Sequence, residues 1–491
     1  MASAPPPPAA ASLMDIALDE ARSDPARLQA FMREFPKGGD IHHHLIGAPT
    51  PQMLIEIGAE RRFCLQRKTL EAIPGPCMHG SLSFERVLTD PDLRGALEAK
   101  WSMRGFGAGD ARAPDHFFGI FPQIWSVVDD RGLLLARLKQ DAAAENLGYL
   151  ETQLQTPAPT EALRALAMGL PPTDDVMALR AALSARTEFE PLVRQAIATI
   201  DAYDATSAEA LGCATTTPKA GCRVAHRYQY YALRILPTPM VLADMILAFE
   251  VAHRAPQVVG VNVVGFEGDA NALRHYGIHM RALAALGQLF PEVPISLHAG
   301  EITAREADEE ALKTHVPDAL YVAGAKRIGH GNSIAQSANR DALLEDLAFT
   351  ATTVEVSLTS NELLLGRVGD EHHLPLLLDA GVPVTLNTDD AGIFVTTLSR
   401  EYALAATRYP SLTYADFQSL SRQALIAAFI EGSGIWDEGN RGQRVAACRD
   451  FGAASCRSLI ASSPRAALQV DLEQRFKTFE QRWLQQLAAA N

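Results

Sequence analysis

No stretch of the 491-residue chain runs to the roughly 18 consecutive apolar residues that a membrane-spanning helix requires, so no helical span is expected. Positive charge is in deficit: 44 Lys and Arg stand against 58 Asp and Glu, for a net charge of -14. Such a chain has no electrostatic reason to seek nucleic acid or an anionic membrane. No Cys-x-x-Cys pair is present, which removes the structural zinc sites built on that spacing. The opening Met1-Ala-Ser-Ala-Pro-Pro-Pro-Pro lacks the basic start and apolar core of a signal peptide. It is expected to be either an ordinary tail or a mature N-terminus left after removal of a leader, with residues 1–11, rich in Ala and Pro, disordered.

Hydrophobic residues make up 47% of the chain, enough to bury a large core. Length alone suggests several domains, but single barrels with insertions exceed about 400 residues. The six cysteines fall into local pairs, Cys64 with Cys77, Cys213 with Cys222 and Cys448 with Cys456. Close, even pairing points to three small-loop disulfides and an oxidising compartment. Six thiols in a cytoplasmic protein are the alternative.

Eight short segments read as strands: Asp40–Leu45, Leu147–Leu154, Tyr228–Leu236, Val258–Val264, Val293–His298, Lys326–His330, Thr353–Ser357 and Val382–Asn387. The later ones are largely apolar, as strands buried on both faces should be. Helical periodicity runs over 12–35, Ala270–Leu289, Glu309–Ala323, Gln336–Asp346 and Leu374–Ala380, and again from about Tyr414 to Asn491. Strand–helix alternation predicts an α/β fold, a (β/α)8 TIM barrel spanning 12–491 as a single domain, with the last helices closing its bottom or side. A doubly wound open sheet is the alternative. The connections 46–146 and 156–227 are too long for simple loops and are expected to be insertions over or beside the barrel.

Polar residues gather at the ends of these strands. His42 and His44 alternate on the first and share a face, which leaves His43 pointing the other way. His298 ends the fifth strand, His330 ends the sixth, and Asp389 and Asp390 follow the eighth. In a parallel barrel these ends converge on the face that carries active sites. His42, His44, His298 and Asp389 offer three imidazoles and a carboxylate, a set suited to zinc (Zn2+) with water as a further ligand. Glu301, three residues past a ligand, is placed to move protons without ligating, and His330 to orient or deprotonate the water or to stabilise developing charge. Taken singly, each has a bland reading. A His triple arises by chance, Gly329-His-Gly331 suits a turn, and Asp389-Asp390 suits a helix cap.

Four segments carry a family resemblance. His42-His-His-Leu-Ile-Gly47 resembles the His-x-His-Leu-x-Gly motif of the adenosine deaminase family. His298-Ala-Gly-Glu301, Arg327-Ile-Gly-His-Gly331 and Leu386-Asn-Thr-Asp-Asp390 are similar to three further motifs of that family, and Glu355–Asn361 to its seventh-strand segment. Order and spacing agree from about residue 37 to 435. The resemblance implies a zinc barrel that hydrolyses the 6-amino group of a purine. His42, His44, His298 and Asp389 would hold the metal, Glu301 would protonate ring N1, and His330 would assist the water that adds at C6. Asp390 would hydrogen-bond N7, and Gly265 would offer its backbone N–H to N3. Pro36-Lys-Gly-Gly-Asp40 and the long first insertion resemble the secreted, growth-factor-like branch. That likeness implies a periplasmic or secreted protein, agrees with the disulfide reading, and makes a homodimer plausible.

The expected activity is hydrolytic deamination of adenosine and 2′-deoxyadenosine. Ile46 departs from the family pattern, which often has Asp there to meet the ribose 5′-hydroxyl. Another 6-aminopurine, such as a 5′-modified adenosine, is therefore the alternative substrate. A binding or signalling protein that lost turnover is the alternative from another class, although every expected ligand and Glu301 are present. Ala391 also stands where the family commonly has Pro, a change with no functional account. A different metal hydrolase with a bridging Lys on the fourth strand is disfavoured, because Val258–Val264 has none.

Overall fold

The computed structural model describes residues 12–437 and 442–490; the Ala/Pro tail over 1–11 lies outside them. Eight parallel strands form the centre: β1 (Lys37–His44), β2 (Leu147–Leu154), β3 (Ala225–Leu233), β4 (Val258–Val264), β5 (Ser296–Ala299), β6 (Arg327–His330), β7 (Thr353–Val356) and β8 (Val384–Leu386). They pair in parallel in two runs, β1 to β4 and β5 to β8. Parallel bridges at Val261–Ile295 and His43–Asp389 join the runs at both edges. The ring is therefore closed, which decides for the (β/α)8 barrel over an open sheet.

Boundaries shift where local breakers are overruled by packing. Pro36-Lys-Gly-Gly reads as a break, yet β1 begins at Lys37, whose N–H donates to the Asn146 carbonyl at 3.1 Å. Gly38 belongs in the strand because a Cβ there would come within 2.2 Å of the Ser421 carbonyl oxygen. β3 spans Ala225–Leu233 rather than Tyr228–Leu236, and so takes three residues from the expected second insertion. β5 is shorter than expected, and Pro294 instead accepts from Val261 N–H at the seam. The expected helix over 12–35 is two helices, Leu13–Arg22 and Pro25–Glu34. Asp24 caps the second and Pro25 opens it, so the chain bends between them.

Both long connections hold structure of their own. The first contains a three-stranded antiparallel sheet (Cys64–Gln66, Ala72–Ile73, Ser81–Ser83) and the helix Ala113–Val128. The second contains the helices Pro157–Met168, Val176–Ser184 and Phe189–Leu211. Tyr414–Ala427 and Pro464–Ala490 pack with the N-terminal helices at the end of the barrel where the strands begin. There Phe35 and Phe479 meet edge to face at 5.6 Å. Cys64–Cys77, Cys213–Cys222 and Cys448–Cys456 are disulfide-bonded, each stapling one local loop. Among the described residues no helix is long and apolar enough to cross a membrane.

Candidate functional site

The C-terminal ends of the strands bring one ligand-capable atom each from His42, His44, His298 and Asp389 within 4.8 Å of one another. The seam that closes the barrel assembles three of these four residues. Asp389 N–H donates to the His42 carbonyl at 2.9 Å, and His44 N–H donates to the Asp389 carbonyl at 3.2 Å. His44 Nε2 lies 3.1 Å from Asp389 Oδ1 and 3.2 Å from His298 Nε2. His43 points away, as alternation requires, and its Nδ1 meets Thr152 Oγ1 at 2.8 Å. Asp389 and His330 each take a left-handed backbone, φ 62° at both, which for a non-glycine residue costs on the order of 1–3 kcal/mol and turns the chain sharply at the strand end.

Buried partners fix which ring nitrogen of His42, His298 and His330 faces the centre. His42 Nδ1 donates to Glu355 Oε2 at 2.7 Å, so Nε2 keeps its lone pair, is buried and has no hydrogen-bond partner. Glu355 is in turn held by Arg327 at 2.5 Å, and Arg327 reaches across to Glu151 at 2.5 Å. Arg327, which the family motif carries, thus braces the barrel interior beneath the site. His298 Nδ1 donates to Asn262 Oδ1 at 3.0 Å; that oxygen also accepts the Val263 N–H at 2.8 Å, which fixes the amide's orientation. Burial and the neighbouring imidazoles hold His298 well below the usual histidine range, hence neutral as a ligand must be.

His330 is set differently. His372 Nδ1 accepts the Leu374 N–H at 3.0 Å, so its Nε2 carries the proton and donates to Asn361 Oδ1 at 3.0 Å. Asn361 Nδ2 then donates to His330 Nδ1 at 3.1 Å. This chain leaves His330 with its proton on Nε2, 3.5 Å from Glu301 Oε1. Burial, reinforced by His42, pushes His330 down to about 3, so the ring is neutral. In that state it is a hydrogen-bond donor towards the site, suited to a developing negative charge rather than to taking a proton.

Glu301 is a part-buried carboxyl whose proton affinity is raised well above the usual range by burial and by the charge of Asp389. Its backbone is fixed by Glu267, which accepts from Gly300 N–H at 3.0 Å and Glu301 N–H at 2.8 Å. Burial opposes the Glu267 charge, but Arg234 and the His315 hydrogen bond outweigh it and bring that carboxyl down to about 2. Arg234 also ties two strand ends together, donating to the His298 carbonyl at 2.9 Å and the Gly265 carbonyl at 2.6 Å.

Two motif glycines are explained by close approach. A Cβ on Gly47 would fall 1.6 Å from Asp390 Oδ1, and one on Gly329 would fall 2.6 Å from His42 Cε1. Asp390 itself is pushed up to about 7 by burial and by Asp389, against the pull of His44, and its Oδ1 has no partner. Every sequence-predicted site residue reaches one cavity of about 850 Å3 or its floor. His44, His298, Glu301, His330, Asp389, Asp390 and Gly265 line it, and His42 lies buried against His298 with ring centroids 4.4 Å apart. Ile46 lines it too.

Sequence reasoning assigned no role to Glu355, Asn262, Asn361, His372, Glu267 or Arg234. For the first two a signal was available: each is a polar residue interrupting an apolar strand, Thr-Val-Glu-Val and Val-Val-Gly-Val-Asn-Val-Val. The walls were also missed. The helix Ala113–Val128 brings Phe118, Phe121 and Trp125 over the cavity, and Pro157–Met168 brings Thr160 and Arg164.

The adenosine deaminase family profile matches residues 132–434, well over half of the chain. An adenine deaminase of Agrobacterium fabrum is 35% identical over 196 residues, 39% of this chain and 53% of that protein. An aminodeoxyfutalosine deaminase of Streptomyces coelicolor is 38% identical over 138 residues, 28% of this chain and 33% of that protein. The chain thus spans about half or less of the length of these curated relatives. Among solved structures, a zinc-bound COG1816 amidohydrolase from Burkholderia ambifaria superposes with a TM-score of 0.54 at 16% identity, over 92% of this chain and 94% of that one, a likeness of fold. With the profile covering β2 through β8, the chain belongs to the adenosine deaminase family of hydrolytic deaminases.

Proposed function

We propose that this protein is a zinc-dependent deaminase that hydrolyses the 6-amino group of a purine nucleoside, converting adenosine and 2′-deoxyadenosine to the inosine products plus ammonia. The observation that carries this reading is the convergence of His42, His44, His298 and Asp389 beside Glu301 and His330. Three imidazoles and a carboxylate suit zinc, and the buried, partnerless His42 Nε2 is a lone pair aimed at the position such an ion takes. When bound, zinc supplies a water acidified towards a pKa of about 7.

The chain's own residues do the rest. Glu301 holds the proton that ring N1 receives, which draws electron density from C6 and opens it to water. His330 Nε2–H donates to the oxygen that adds at C6. Asp390 hydrogen-bonds N7, and Gly265 offers its N–H to N3. Of the two protons of the added water, one passes to the amino group and one returns to Glu301; the C6–N bond breaks, ammonia leaves, and C6 keeps the oxygen as the carbonyl beside N1–H. Gly265 takes φ 97°, a left-handed conformation that a side chain would strain.

Ile46 favours a second reading, a 5′-modified adenosine, because an apolar side chain there cannot hydrogen-bond a ribose hydroxyl. The names of the relatives, an adenine deaminase and an aminodeoxyfutalosine deaminase, support deamination without fixing the substrate. Ammonia release from adenosine, 2′-deoxyadenosine, 5′-methylthioadenosine and adenine by the zinc-loaded protein tests both readings; silence with all four would sink them. We also propose export to the periplasm or medium, supported by the three disulfides. Mass spectrometry of protein from its native host, with and without reductant, should show three bridges. Six free thiols would contradict export.

A further inference from the structure

The cavity does not end at the metal-type cluster. Across from β5, β6 and β8 it is lined by Arg131, beside Tyr231 and Arg164. The two arginines differ. Arg164 is neutralised by Asp244, its Nε 2.7 Å from Oδ1 and its Nη2 2.6 Å from Oδ2, and it also reaches Gln155. Arg131 is 1% exposed, its Nε and Nη1 have no hydrogen-bond partner, and among the described residues no carboxylate pairs with it. Its charged neighbours do not satisfy it. Asp130 is occupied by Arg61 and by capping Leu133 N–H, and Asp269 caps Asn271 and Ala272; Asp129, Asp115 and Glu161 are exposed, Glu71 is half-buried, and none of these carboxylates forms an ion pair with Arg131.

A guanidinium taken out of water without a partner is costly, and the ordinary remedy is an anion. The backbone adds to the attraction. Arg131 is the first residue of the helix Arg131–Ala144, which runs about 21 Å down to the start of β2 and so presents its positive end at the cavity. Ile46 also lines the cavity: where the family pattern often has an acid, this chain has an apolar side chain, so position 46 adds no carboxylate to those already there. Phe118, Phe121 and Trp125 make the intervening wall apolar, and a charge pair formed there is little screened.

We propose that Arg131 is a specificity-determining residue that receives an anionic group, carboxylate or phosphate, carried by the substrate on the ribose side away from the purine. The preferred substrate is then a 6-aminopurine nucleoside with a negatively charged 5′ extension. The proposal rests on the deaminase reading and narrows it.

The test uses the zinc-loaded full chain. Values of kcat/KM are compared for adenosine, 5′-methylthioadenosine (neutral extension), S-adenosylhomocysteine (carboxylate) and adenosine 5′-monophosphate (phosphate), in the native protein, Arg131→Met and Arg131→Lys. We expect one anionic substrate to exceed the neutral ones by ~10- to 100-fold, the scale of a desolvated charge-assisted contact. Which of the two leads separates carboxylate from phosphate. Arg131→Met should collapse the anionic-to-neutral ratio towards one, and Arg131→Lys should restore part of it. Calorimetry on Glu301→Gln gives a readout without turnover: the inosine product bearing the preferred anion should bind more tightly than inosine, and adding Arg131→Met should erase the difference. Turnover with no anionic preference, or a ratio indifferent to Arg131→Met, overturns the proposal. Absence of turnover on every 6-aminopurine overturns the deaminase reading instead. If Arg131→Met fails to fold, the binding comparison in Glu301→Gln decides alone.

Discussion

The two halves of the barrel are built differently. Strands β1 to β4 have eight, eight, nine and seven residues; β5 to β8 have four, four, four and three. The short-stranded half carries His298, Glu301, His330, Asp389 and Asp390, each within a few residues of a strand end. The long-stranded half carries His42, His44 and, just past β4, Gly265; beyond these it supplies walls: both insertions, the aromatic cover and Arg131. Reacting groups must meet at fixed distances, so they sit on rigid, buried strand ends. Substrate-contacting surface can be rebuilt in connections without moving them.

That division makes unequal predictions for the two halves. In the short-stranded half, Glu301→Gln should lower kcat by ~10²- to 10⁴-fold while the bound zinc, measured by atomic emission, stays at one per chain. Activity that survives the change would remove Glu301 from proton transfer. Next in size come the residues that set the imidazoles. Asn262→Ala, on β4 of the long-stranded half, frees the His298 ring on β5 and should weaken metal affinity or activity by ~10- to 100-fold, readable by competition with a chelator. His372→Ala frees the Asn361 amide and the His330 tautomer; kcat should fall on the order of 10-fold with little change in KM or metal content, the pattern of a positioning residue. A change in KM alone would assign His372 to packing.

In the long-stranded half, Ile46→Asp should shift substrate preference rather than abolish turnover. The ratio of kcat/KM for adenosine over 5′-methylthioadenosine should rise by roughly 10-fold, since the new carboxylate meets a hydroxyl that the thioether lacks. An unchanged ratio would mean that position 46 does not face the ribose 5′ end. The smallest effect on activity belongs to Cys213→Ser with Cys222→Ser. This pair closes a loop remote from the cluster, so kcat should be unaltered while unfolding stability falls by about 2–3 kcal/mol. A loss of kcat would tie the second insertion to the chemistry.

The same division explains what the sequence disclosed. Strand–helix alternation was legible because β-branched runs such as Val258–Val264 alternate with capped helices such as Ala270–Leu289, where Asp269 accepts from the Asn271 and Ala272 N–H groups; closure into a ring rests on the bridges at the two seams, which periodicity does not show. The cluster was legible because ligand-capable residues at strand ends leave short motifs of fixed spacing, with glycines at 47 and 329 where a side chain has no room. Bracing residues were less so: Glu355 and His42 are 2.7 Å apart in space but far apart in the chain. Helix Ala113–Val128 lies inside the stretch expected as an insertion, and nothing local marks Phe118 or Trp125 as cavity wall rather than core. Arg131, beside Asp129 and Asp130, carries no motif and lies in the same expected insertion; only its burial distinguishes it.

The central claim is that the His42, His44, His298 and Asp389 cluster binds a metal that this chain uses to deaminate a 6-aminopurine. Its most direct test is ammonia release from a 6-aminopurine panel before chelation, after chelation and after reloading with zinc. The account predicts ammonia in step with loss of the adenine chromophore, abolished by the chelator and restored by one equivalent of zinc per chain. Full activity in the chelated, metal-free protein, or none on any 6-aminopurine with zinc bound, would contradict it.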